Sequence, residues 1–151
     1  MRVISLIVAA TLMVGLLISA GLPQTSESVK YMNVPGRSDD VPYSNSVLVG
    51  NTLYLAGAIG IDPSTLAPPS EVKEEVKIVL DGMKSRLEKV GMTMDDLVSV
   101  QIFCPDLSLY GAFNEVYKTY FKDHYPARGF IGSGPLLRGG RFEVMGVAVR
   151  Q

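Results

Sequence analysis

The residue best placed to do chemistry is Arg128, within Tyr125-Pro126-Ala127-Arg128-Gly129. Pro126 fixes its own φ and pushes Tyr125 into an extended conformation, so a helix arriving from Phe121 stops here. Ala127 leaves room beside the guanidinium, and Gly129 lets backbone or a ligand come close. The apolar Phe130-Ile131 pair follows, which puts Arg128 at the mouth of a new strand. A guanidinium so placed suits a planar carboxylate, gripped through two parallel N–H donors, better than a lysine would. The same local sequence also fits a surface arginine at a strand start. Tyr43, in Val41-Pro42-Tyr43-Ser44, brings an aromatic hydroxyl to the start of a hairpin. The lone Cys104 excludes an internal disulfide and a multi-cysteine metal site, and a single histidine excludes a His-rich catalytic metal. Cys104 itself reads as a small core residue of a strand.

These groups need a scaffold, and 151 residues supply one domain with an N-terminal appendage. With 47% hydrophobic and 19% charged residues the chain suits a packed core. A net charge of -1 argues against a phosphate-tracking surface, so nucleic acid is not an expected partner. Residues 1–21 read as an export signal: Arg2, an uncharged run from Val3 to Ala20, then the small Ser19-Ala20-Gly21 where a signal peptidase cuts. The competing reading is an uncleaved anchor, because the run is about long enough to span a bilayer. Either way the globular part is expected outside the cytoplasm, periplasmic or secreted. Residues 22–28 are a polar linker, and 29–151 are the domain.

Within the domain, Val29 to Val34 is a weak strand. Ser46 to Val49 and Thr52 to Ala56 form a hairpin about Gly50-Asn51, two residues that tolerate positive φ. The stretch from Gly57 to Gly60 is a glycine-rich exit. Ser70 is the expected N-cap of a long helix ending at Gly91, with Val72, Val76, Val79, Leu80, Met83, Leu87 and Val90 on one stripe. Val98 to Cys104 alternates as a strand, with Val98, Val100, Ile102 and Cys104 on one face. A second helix runs from Pro105-Asp106 to about Phe121, and its aromatic stripe reads as core. The Arg128 strand, a glycine-rich connector and a last strand over Phe142 to Val149 complete the chain. This is an α+β layout, a mixed sheet carrying two helices on one face. The other face exposes apolar side chains, which predicts oligomerisation.

Taken in order, Val41-Pro42-Tyr43-Ser44, Leu55-Ala56-Gly57, Val90-Gly91 before Asp95-Asp96-Leu97, Asp106-Leu107, Phe113-Asn114, Pro126-Ala127-Arg128 and Gly146-Val147-Ala148-Val149 resemble the RidA/YjgF family over about Val29 to Gln151. The resemblance implies a chorismate-mutase-like fold, a homotrimer, and a ligand cleft at each subunit interface. It further implies hydrolysis of reactive enamine and imine intermediates such as 2-iminobutanoate and 2-iminopropanoate to 2-oxo acids and ammonia. No cofactor or metal is implied. Carried over by position, Arg128 clamps the substrate carboxylate, Tyr43 lies near the cleft, and Gly57 marks where backbone approaches the ligand. Ala56 stands in the place of a pocket serine and Phe130 where many relatives have cysteine. Met145 stands in the place of the glutamate that orients the attacking water.

Losing that general acid/base costs about 10² to 10⁴-fold. Glu143 shares Met145's strand face at about 6.5–7 Å along it and is the candidate replacement, acting through a second water. His124, on the loop before Arg128, is the other candidate base. Two functions therefore stand side by side: an exported imine deaminase, a hydrolase acting on C=N bonds, and a non-catalytic trimer that binds small carboxylates or a partner. A cleft filled by Met145 and Phe130 would leave only the structural role.

Overall fold

The computed structural model describes residues 28–38 and 40–151. The expected export signal, and the linker up to residue 27, lie outside the described residues.

Eight elements follow one another: β1 (Val29–Met32), β2 (Ser46–Val49), β3 (Thr52–Ile59), α1 (Val72–Glu88), β4 (Leu97–Cys104), α2 (Tyr110–Tyr117), β5 (Ala127–Gly132) and β6 (Glu143–Val149). They form one six-stranded sheet in the order β1-β2-β3-β6-β4-β5. Only β4 and β5 run parallel, as strands joined through a helix must be able to do. Both helices cover the same face, α1 packing on β3, β6 and α2. Val76, Val79, Leu80, Met83 and Leu87 of α1 meet Phe113, Phe142 and Val144 in the core. Each such large side chain taken fully from water contributes about 1.5–3 kcal/mol. The expected α+β architecture is the one observed.

Four local features differ from the sequence expectation. Glu71, not Ser70, occupies the N-cap of α1 and makes no side-chain cap. The Ser70 carbonyl instead accepts from Arg141 Nη1 at 3.0 Å. In the hairpin turn only Gly50 takes positive φ, at 55°. The glycine-rich exit is not a loop: β3 continues to Ile59 through a bulge between Leu55 and Ala58. A second irregularity between Leu97 and Ser99 turns Val98 outward and Leu97 inward. In the two strands, pairing with β6 overrides the local pattern, which is how bulges arise.

Candidate active site

Arg128 stands on β5, an edge strand, with its side chain turned toward α2. Nη1 donates to Asn114 Oδ1 at 2.7 Å and Nη2 to the Tyr110 hydroxyl at 3.3 Å. The guanidinium carbon lies 4.7 Å from the Tyr117 ring centroid and 5.6 Å from that of Tyr110. Two hydrogen bonds and two aromatic faces fix the plane of the fork. Of its five N–H donors, three remain for a ligand. They border a hollow of about 490 Å³ shared with Tyr125, Pro126 and Lys118. The buried Tyr117 hydroxyl finds no partner among the described residues. Burial pushes its pKa up to about 12, against the pull of the Arg128 charge.

A second hollow, of about 510 Å³, gathers Tyr43, Ala56, Gly57, Glu143 and Arg138. The β3 bulge is what makes it. There Gly57 passes so close to Glu143 that a Cβ added to it would lie 2.2 Å from Glu143 Oε1. The contact holds the Glu143 carboxylate in the concave wall, as a proton acceptor facing the hollow.

Two arginines that the sequence did not single out build the Tyr43 side of this wall. Arg37 Nη2 donates to the carbonyls of Val41, at 2.6 Å, and Tyr43. Its guanidinium carbon lies 5.1 Å from the Tyr43 ring centroid. Arg86 comes from behind, in α1, and is only 6% exposed. It donates to Gly82 O at 3.1 Å, Ala56 O at 3.1 Å and Asn45 O at 3.4 Å. Burial lowers its pKa, with Tyr43 acting in the opposite sense, yet guanidinium stays protonated and keeps its charge. Arg86 thus caps the Ala56 carbonyl within the bulge. In sequence these residues read as an ordinary loop charge and an ordinary helix charge.

The structure therefore brings Tyr43, Ala56, Gly57 and Glu143 together and leaves Arg128 elsewhere. Glu143 is on β6, which β4 separates from β5 by about 10 Å across the sheet, and the Gly57 strand β3 lies one strand farther, about 14 Å from β5. Phe130 and Met145, expected beside the ligand, line neither hollow. Phe130 packs edge-on against Tyr110 and Phe113. Met145 lies on the helix-free face in a third hollow, which it shares with Ala56, Tyr54, Gln101 and Val147. His124 is exposed and donates Nε2–H to the Asp95 carbonyl at 3.0 Å, outside both hollows. Cys104 is buried, its thiol donating to the Asp106 carbonyl at 3.0 Å, and burial raises its pKa. Among the described residues no group of three or more His, Cys, Asp or Glu side chains could hold a metal ion, and no helix is long and apolar enough to cross a membrane.

Residues 38–150 match the sequence family described as Endoribonuclease L-PSP. A mouse 2-iminobutanoate/2-iminopropanoate deaminase is 36% identical over 110 residues, covering 72% of this chain and 82% of the mouse protein. A RutC family protein of Pyrococcus abyssi is 34% identical over 111 residues, 73% and 87% of the two chains. Among solved structures, RidA of a Psychrobacter species superposes with a TM-score of 0.69 at 27% identity, covering 84% of this chain and all of that one. A Rid family protein of Yersinia pestis gives 0.73 at 26% identity, covering 82% of this chain and 100% of its own.

Proposed function

Since the chain belongs to the RidA/YjgF family, we propose that it is an imine deaminase, hydrolysing 2-imino acids to 2-oxo acids and ammonia. The observation that carries this reading is the Glu143 carboxylate set against Gly57 beside Tyr43 in one hollow. Arg128 lies too far across its own sheet to serve that hollow. The working cleft forms where the Arg128 hollow of one copy faces the Glu143 hollow of the next, in a homotrimer packed through the helix-free faces. That face carries the half-exposed Tyr54, Val98 and Ile131, apolar surface that association would bury.

In this cleft the free edge of Arg128 takes the substrate carboxylate in a bidentate pair. Orientation supplies much of the acceleration, since a protonated imine is already electrophilic. Glu143 accepts a proton from water as the water oxygen adds to the imine carbon and the C=N pair moves onto nitrogen. Returned to nitrogen, that proton makes ammonia the leaving group. As the C–N bond breaks, the hydroxyl becomes the carbonyl, and its proton passes through Glu143 to ammonia. Met145 takes no part, so on this reading Glu143 does the work of the glutamate that Met145 replaces.

The test is turnover of 2-iminobutanoate generated in situ, read as loss of trappable imine. Wild type should exceed buffer. Arg128→Ala and Glu143→Gln should each fall by about 10² to 10⁴-fold. Wild type no faster than buffer ends the enzymatic reading. A second reading, ligand binding without turnover, is favoured by Ala56, which brings no hydroxyl to the wall. It predicts thermal stabilisation by 2-oxobutanoate that Arg128→Ala removes. Residues 1–21 as a cleaved export signal complete the proposal, and the N-terminal residue of the mature protein in a periplasmic or secreted fraction checks it.

A further inference from the structure

Arg138 is an exposed charge at the border of the Glu143 hollow. Of the six described arginines, Arg37, Arg86, Arg128, Arg141 and Arg150 all donate hydrogen bonds. Arg138 donates none and pairs with no carboxylate among the described residues, although it borders the same hollow as Glu143 and Tyr43. Its backbone is left-handed, at φ 56 and ψ 18, a conformation usually left to Gly or Asn. The turn that imposes this is anchored. The Gly140 amide donates to the Leu137 carbonyl at 3.1 Å, and Gly140 is seated so tightly that a Cβ would meet Ile59 at 2.3 Å. A strained residue held in place at the wall of a site points to a role in that site.

On this basis we infer that Arg138 binds a second carboxylate of the substrate, so that the preferred imines are those of dicarboxylic amino acids. The inference rests on the proposed cleft. Arg138 and Glu143 border one hollow of this chain, so with Arg128 of the neighbouring copy on the α-carboxylate and Glu143 on the water, Arg138 is the cation left for a side-chain carboxylate. The bonds made and broken are those already given, because the side-chain carboxylate takes no part in them. An imine with an aliphatic side chain leaves Arg138 solvated and gains nothing from it.

Affinity for the 2-oxo products tests this independently of turnover. Calorimetry should show 2-oxoglutarate binding about tenfold more tightly than 2-oxobutanoate, the difference one charge-assisted contact makes at an open site. Arg138→Asn keeps a residue suited to the left-handed turn and removes only the charge. It should bring the two affinities together while leaving that for 2-oxobutanoate unchanged, and Arg138→Lys should keep part of the preference. Equal affinities in wild type, or a preference that survives in Arg138→Asn, overturn the inference. Neither result bears on deamination of 2-iminobutanoate, which stands or falls on the turnover assay.

Discussion

Gly57 is the residue on which the geometry of the wall turns. Any side chain there enters the space of Glu143 Oε1, but what it meets is the end of a flexible side chain rather than backbone. Gly57→Ala should therefore fold with an almost unchanged denaturation midpoint while turnover drops by about 10²-fold, as the carboxylate is pushed off its water. A large loss of stability with kcat intact would show that the contact is merely structural. Tyr117 offers a pH signature. Its folded-state pKa is raised from 10.0 to about 12, so the native state holds the phenolic proton after the unfolded chain has released it. Stability should accordingly fall as pH rises from 10 toward 12, and Tyr117→Phe should make that part of the profile less steep in chemical denaturation, the rest coming from Tyr120, whose pKa burial and Asp81 also raise. The same variant removes an unpartnered buried hydroxyl and should cost little at neutral pH. Arg128 and Tyr43 were legible in the sequence because prolines fix the chain beside them. Arg37 and Arg86 were not, since their partners are backbone carbonyls that folding alone brings near.

At the level of elements, α1 carries more than its apolar stripe. Glu75 is fully buried among valines and leucines, where charge is expensive unless satisfied. Oε1 accepts from the amides of Arg141, at 2.7 Å, and Phe142, at 3.2 Å, while Oε2 pairs with Arg141 Nε at 2.5 Å. The helix thereby sets the entry of β6, and Glu143 follows one residue after Phe142. Glu75→Ala should lose about 3–5 kcal/mol in chemical denaturation, the toll of stranding one half of a buried pair. A loss under about 1 kcal/mol would place the pair among weak surface contacts. Periodicity displayed the stripe of α1 but could not show that a glutamate and an arginine also face inward. A helical pattern records which residues are apolar, whereas a buried charge is bought by partners far along the chain. The alternation of β4 failed only at Val98, for a similar reason. Its irregularity near Val98 is set by pairing with β6, where Gly146 passes within contact of the Ser99 carbonyl.

For the whole molecule, the order and class of the elements were legible because strand alternation and the α1 stripe are strong signals. That Arg128 and Glu143 border separate hollows was not, because it depends on strand order, and β6 enters the sheet between β3 and β4. That separation has a genetic consequence. If each cleft draws Arg128 from one copy and Glu143 from another, lesions at the two positions do not reside in the same unit of function. Arg128→Ala and Glu143→Gln proteins, each inert alone, should regain activity when co-expressed, since a trimer mixed at random pairs one intact arginine with one intact glutamate in about a quarter of its clefts. Two dead alleles would then complement, and a chain that worked by itself could never show that.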